Sequence, residues 1–312
     1  MERRYMAINI RKDNFIYPYF VIGGKNKKEE IRNFPRVYRF SVDRLLRDIS
    51  GLRSLGIKKI LLFGVPRKKD THASSAYGRE NIVAGAVRSI KKEFKDLTVA
   101  TDVCLCAYTT HGHCGILKKD SRLIDQKQTL ERLADVALSH AEAGADWVAP
   151  SAMAKRQVSS IRQALDKRGF ERTKIMGYSA KFASSFYGPF RNASSSAPKF
   201  GDRSAYQLDF RTSSQALAEI AQDIKEGADI VMVKPALSYL DIIKEAHLIF
   251  QHPLAAYNVS GEYAFVKYGA QKGLWEEKKV VFEIISAIKR AGADLIISYH
   301  AKDIARWLDE RK

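Results

Sequence analysis

Apolar residues in this chain gather in short, nearly unbroken runs, separated by longer stretches in which they recur every three or four positions. The short runs are rich in Val, Ile and Leu and predict strands near 15–22, 59–64, 98–105, 146–150, 174–179, 229–233, 254–259 and 294–299. The longer stretches predict helices near 41–55, 80–94, 127–143, 155–168, 214–226, 238–249 and 277–290. Strands apolar on both faces belong to parallel sheets covered by helices. Eight of them in alternation with helices indicate an α/β fold of the closed (β/α)8 TIM-barrel type. A weak repeat agrees: AGADWVAPS (143–151), EGADIVMVKP (226–235) and AGADLIISYH (291–300) each end a helix at glycine and enter a buried strand through Ala-Asp. Glycine there suits the left-handed C-cap. Residues 183–213 break the rhythm, being rich in Ser, Gly, Pro and aromatics without a helical period. A loop of that length inside a compact domain is expected to be a lid over a site. With no linker in sight, the expected organisation is a short N-terminal arm over 1–14 and one barrel over 15–312.

Length and composition fit that picture. The chain has 312 residues, and 46% of them are hydrophobic, enough for a barrel with modest decoration. No apolar stretch is long enough to cross a bilayer, and MERRYMAINIRKDN lacks the apolar run and cleavage site of a secretory signal, so a cytoplasmic protein is expected. The net charge of +18 comes from 53 Lys+Arg against 35 Asp+Glu. The basic residues are scattered in twos and threes (Lys27-Lys28, Arg67 to Lys69, Lys91-Lys92, Lys118-Lys119), with no arginine-rich arm, zinc finger or RNA motif. That distribution reads as a solvated surface rather than a nucleic-acid or membrane footprint, and its field would attract an anionic substrate.

The strand ends carry chemistry. Barrel enzymes place their sites at the C-terminal ends of the strands. Here those positions hold Asp102, Cys104 and Cys106 on the third strand, Ser151 on the fourth and Lys181 on the fifth, then Lys234, Ser260 and Tyr299 on the remaining three. All three cysteines fall within 104–114, in DVCLCAYTTHGHCG. An odd, clustered set is a poor disulfide framework and a good metal site. Cys104 and Cys106, two apart on an extended strand, would face one side, and Cys114 would return on a loop carrying His111 and His113. Three thiolates leave the fourth position of a tetrahedral zinc open, as in catalytic sites. Lys181 and Lys234 each close an apolar run. Burial and a like-charged neighbour depress a lysine pKa and make the amine a nucleophile toward ketones. Arg191 and Arg203 in the long loop offer planar forks for a carboxylate, and Ser260 and Tyr299 could hydrogen-bond a second one.

The segments DVCLCAYTTHGHCG, GYSAKFASSFYGPFR, GDRSAYQLD, MVKPALSYLDI, YNVSGEYA and GAQKG closely resemble the porphobilinogen synthase (5-aminolevulinate dehydratase) family, from about Phe15 to Trp307. The resemblance implies a lyase that condenses two 5-aminolevulinate molecules into a pyrrole for tetrapyrrole synthesis. It implies that Cys104, Cys106 and Cys114 bind catalytic zinc and that Lys181 and Lys234 form the Schiff bases. By the same likeness Ser260 and Tyr299 hold one substrate carboxylate. Arg191, Arg203 and Gln207 hold the other substrate, with Asp102 and Ser151 as further site positions. Glu219 matches a glutamate that binds allosteric magnesium in many bacterial members.

The chain also departs from the pattern. Where the family usually carries APSDMMDGR, this sequence reads APSAMAKRQ, and Tyr299-His300 stands where many members have Tyr-Tyr. The arm, which grips a neighbouring subunit in the family's octamers, is short, so a homo-oligomer of eight or fewer subunits is expected. Two other readings stand beside the enzyme: a divergent paralogue acting on another amino ketone, and a basic barrel that binds nucleic acid.

Overall fold

The computed structural model describes residues 9–310; most of the expected N-terminal arm, residues 1–8, lies outside the described residues. Eight parallel strands form the barrel. They are β1 (Phe15–Ile22), β2 (Lys59–Val65), β3 (Thr98–Val103), β4 (Trp147–Pro150), β5 (Lys174–Lys181), β6 (Ile230–Lys234), β7 (Leu254–Asn258) and β8 (Leu295–Ser298). Each pairs with the next in sequence, and β8 returns to β1 through Phe15↔Ile296 and Ile16↔Ile297, which closes the sheet. The helices are α1 (Val42–Ser54), α2 (Ile82–Glu93), α3 (Gln126–Glu142), α4 (Gln157–Lys167), α5 (Gly188–Ala193), α6 (Ser214–Lys225), α7 (Leu240–Phe250), α8 (Ser260–Gln271), α9 (Glu277–Ala291) and α10 (Ala301–Asp309). The (β/α)8 barrel expected from the apolar pattern is the fold. No helix among the described residues is long and apolar enough to cross a membrane.

The period-2 geometry of a strand sorts its residues between two cores. Ile16, Leu61, Ala100, Ala149, Met176, Met232, Ala255 and Ile297 point inward and fill the barrel, one from each strand. Alternate residues such as Tyr17, Leu62, Val99, Val148, Val231 and Ile296 face outward into the layer beneath the helices. Continuing the inward series along β3, β6 and β8 brings Asp102, Lys234 and Tyr299 to the mouth. On β5 the inward residues are Met176 and Tyr178, and a regular strand would next turn in Ala180. The register shifts between Gly177 and Ala180, so Lys181 is paired with Lys234 instead. Such irregularities re-aim a side chain at the rim of a barrel.

Four features differ from expectation. A short antiparallel pair, Lys28–Glu30 with Tyr38–Phe40, leaves the barrel after β1. α8 and α10 have no counterpart in the apolar pattern, because α8 carries glycines and an exposed Phe265, and α10 buries only Ala301, Ile304 and Ala305. Residues 183–213 are not wholly irregular: Ser185–Tyr187 forms a 3-10 turn leading into α5, with proline at its start. Finally, β3 ends at Val103, so Cys104 and Cys106 do not lie on extended strand. They sit in the turn that follows, where Tyr108 and Thr109 donate their N–H groups to Leu105 O.

Candidate active site

The turn still brings the thiols together. Cys104 Sγ lies 3.4 Å from Cys106 Sγ, and the three cysteine sulfurs lie within 4.8 Å of one another, all buried. Hydrogen bonds from the thiols of Cys104 and Cys106 hold Cys114 well below the usual thiol range, with help from Arg203 and Lys181 against burial. The same contacts push Cys104 up. Three buried sulfurs at this spacing suit a soft or borderline cation, with zinc–sulfur bonds of about 2.3 Å. His111 and His113 are not part of this group. Both ring nitrogens of His113 are engaged, with Tyr206 Oη at 3.2 Å and Phe200 O at 3.0 Å.

The lysines face each other across adjacent strands. Lys181 Nζ donates to Ser151 O at 2.5 Å. Lys234 sits among the rings of Tyr257 (4.2 Å to centroid), Phe190, Tyr187 and Tyr178. Burial, and then the charge of Lys181, push Lys234 down to about 7, against the pull of Asp102. Asp102 is itself pushed up to about 6 by burial and by Cys106, while a hydrogen bond from Ser151 and the two lysines pull it back. The aromatic cage is not legible in the sequence. Tyr178 and Tyr257 occupy inward strand positions, where an aromatic is indistinguishable from core; only their place near the strand end marks them.

The lid closes over this mouth and onto the cysteine turn. Arg203 donates to Gly112 O at 2.9 Å and Ser196 O at 2.5 Å, and the Lys199 N–H donates to His111 O at 3.0 Å. The Cys114 N–H donates to Tyr206 Oη at 3.4 Å. Gln207 is buried with neither amide atom hydrogen-bonded, and Nε of Arg191, Nε of Arg203, Oδ1 of Asp102 and the Tyr178 hydroxyl are likewise without partners. Buried polar groups are rarely left so. Asp102, Arg191 and Arg203 lie within electrostatic reach of the lysines or the thiols, so a polar ligand at the mouth would find hydrogen-bonding capacity unmet by the protein.

Ser260 and Tyr299 join the site with a difference. Ser260 opens α8 rather than ending a strand, and its hydroxyl is committed to the lid, donating to Phe186 O at 3.1 Å and accepting from Phe190 N–H at 3.0 Å. Tyr299 Oη lies 3.1 Å from Tyr257 Oη. Glu219 is apart from these residues. It lines a pocket with Asp223, Glu226 and Tyr178, the last shared with the lysine cage, and Ala154, Lys155, Arg156 and Gln157 of the altered segment line the same pocket. Burial raises the Glu219 carboxyl and Lys155 opposes the rise.

Known proteins give this arrangement a family. A family model described as delta-aminolevulinic acid dehydratase matches residues 1–307. The delta-aminolevulinic acid dehydratase of Bacillus subtilis is 48% identical over 310 residues, covering 99% of this chain and 95% of its own. That of Methanothermus sociabilis is 54% identical over 295 residues, covering 95% and 91%. The crystal structure of the Toxoplasma gondii enzyme, in complex with the reaction product porphobilinogen, superposes with a TM-score of 0.96 at 38% identity, covering 99% of this chain and 88% of that one. The paired lysines and clustered thiols thus stand on a barrel matched almost end to end, and the chain belongs to the delta-aminolevulinic acid dehydratase family.

Proposed function

We propose that this chain joins two molecules of 5-aminolevulinate into porphobilinogen with loss of two waters, and that Lys234 and Lys181 bind the two ketones as imines. The observation that carries this reading is the pair of buried lysines on adjacent strand ends, one held near neutrality. An amine attacks a ketone only when unprotonated, and Lys234 meets that condition near neutral pH. Forming the two imines releases the two waters; one lysine is then eliminated as the new carbon–carbon bond becomes a double bond, and the other is displaced by a substrate amino group as the carbon–nitrogen bond forms. One carbon–carbon and one carbon–nitrogen bond join the substrates, and a final deprotonation makes the pyrrole. The faces of the cage aromatics favour a cation, so they support the protonated imine at Lys234. Arg191, Arg203 and Gln207, carried by the lid itself, would orient the second substrate by its carboxylate, and Tyr299 with Ser260 the first; Asp102 and Ser151 complete the lysine surroundings. The family match and the shared residues do not favour the divergent-paralogue reading.

Cys104, Cys106 and Cys114 would hold zinc, their all-sulfur donor set and spacing fitting that ion. Zinc bound there supplies Lewis-acid polarisation of a substrate oxygen. Magnesium at Glu219 would rest on hard carboxylate oxygens, with Asp223 and Glu226 lining the same pocket and Lys155 competing for them. A cytoplasmic setting suits three free thiols. A homo-oligomer of eight or fewer subunits, joined in part by a 1–14 arm, completes the reading.

The test is pyrrole formation from 5-aminolevulinate with and without a zinc chelator, alongside borohydride trapping. Activity should vanish on chelation and return with zinc, and Lys234→Met should abolish substrate trapping at that position. Persistent trapping there would sink the Lys234 assignment. Magnesium titration should raise the rate, and Lys155→Asp should strengthen the response; a flat response in both proteins would remove magnesium from Glu219.

A further inference from the structure

Beneath the ends of β6, β7 and β8 runs a chain of buried hydrogen bonds that the reaction just described leaves unused. Its centre is Glu262, in the first turn of α8 and 2% exposed. Its carboxylate meets donors from two different strand ends. Oε1 accepts from the Leu237 N–H at 2.7 Å, while Oε2 accepts from the Val259 N–H at 2.7 Å and from Asn258 Nδ2 at 3.0 Å. Asn258 Oδ1 in turn accepts from Ser298 Oγ at 2.9 Å, and Ser298 Oγ accepts from the His300 N–H at 3.1 Å.

Capping alone does not account for this arrangement. A glutamate at the third helical position ordinarily reaches back to the N-cap N–H, which Glu262 does at Val259. The reach to Leu237 crosses to the segment leaving the neighbouring strand. Burying a carboxylate is costly unless its hydrogen bonds are well made. Here burial pushes Glu262 up to about 7, and the Leu237, Val259 and Asn258 donors pull it back. Leu237 lies three residues past Lys234, Val259 directly precedes Ser260, and His300 directly follows Tyr299. One buried carboxylate thereby ties together the backbone segments that carry all three.

We propose that Glu262 is a positioning residue for imine formation. It fixes the segment leaving Lys234 against the start of α8, so that the ketone at Lys234 and the carboxylate at Ser260 and Tyr299 belong to one substrate in one pose. Glu262 itself touches no substrate. The proposal rests on the reading of Lys234 as an imine-forming lysine. Small displacements of a reacting group lower rates steeply, which is why supporting contacts of this kind matter.

The experiment compares wild type, Glu262→Gln and Asn258→Ala. In Glu262→Gln the side chain keeps its shape, but the amide nitrogen must face one set of N–H donors. Borohydride trapping at Lys234 should slow about ten- to a hundredfold while the melting temperature changes little. Asn258→Ala cuts only the link toward Ser298 and Tyr299, so KM should rise while trapping at saturating substrate stays close to wild type. A folded Glu262→Gln protein with wild-type trapping and KM would overturn the proposal, as would lost stability with unchanged trapping in the folded fraction. If Glu262→Gln does not fold, an unchanged KM in folded Asn258→Ala overturns it. Failure of the wild type to trap at Lys234 would remove the imine assignment itself, and this proposal with it. Normal wild-type trapping with unaffected variants would remove this proposal alone.

Discussion

Two opposing effects act on Lys234. Burial and Lys181 favour the neutral amine, while four ring faces favour a cation. On the proposed reading the amine is free to attack near neutrality, and the cationic imine it would become is not left unsupported. Because its pKa is depressed to about 7, the neutral fraction falls as pH drops through that value. Trapping at Lys234 should accordingly decline about tenfold per pH unit well below it, and a profile flat down to pH 5 would contradict the assignment. The gathering of lysines and cysteines was legible in the sequence, because both residue types are unusual at or just past the ends of apolar strands. Their supports were not. A cage tyrosine on an inward strand position reads as core, and Glu262 reads as a helix cap. Ser260 was expected to meet a substrate carboxylate, and in the structure its hydroxyl is engaged with Phe186 and Phe190 of the lid.

Elements meet the site through close approaches. The lid lies against two glycines: a Cβ added at Gly112 would come within 2.4 Å of Ala197 O, and one at Gly261 within 2.5 Å of Phe186 O. Neither backbone carbonyl can move without lifting the lid. Gly261→Ala should therefore raise KM and expose the 183–213 segment to limited proteolysis, with the barrel intact. Unchanged proteolysis would show that the lid accommodates the methyl. Behind the mouth, buried Lys267 of α8 pairs with Glu277 of α9 and with Asp303 of α10, the latter at 2.7 Å. Lys267→Ala leaves Glu277 without its cation and Asp303 with Arg306 alone, and should cost about 3 kcal/mol in urea denaturation; a loss well under 1 kcal/mol would mean that water replaces the ammonium freely. Most of the elements were readable from periodicity. α8 was not, because it buries residues on several faces to serve the lid and the barrel at once. α10 was hidden by being short.

At the scale of the molecule, the closed sheet places the reactive groups of β3, β5, β6 and β8 around one mouth, a convergence that strand order alone anticipates once the fold is known. The lid's docking on the cysteine turn depends on contacts between residues some ninety positions apart, such as Arg203 with Gly112, and no local pattern encodes it. Closure has another consequence. β1 and β8 are hydrogen-bonded neighbours, Asn14 donates to Asp294 O at 3.2 Å, and Lys12 meets Asp309 at 2.6 Å. A ring has no first strand, so the point at which the chain enters it is a matter of covalent history rather than of architecture. Joining residue 309 to residue 12 by a short peptide and opening the exposed turn between α4 and β5 should give a circular permutant with the same mouth and lid.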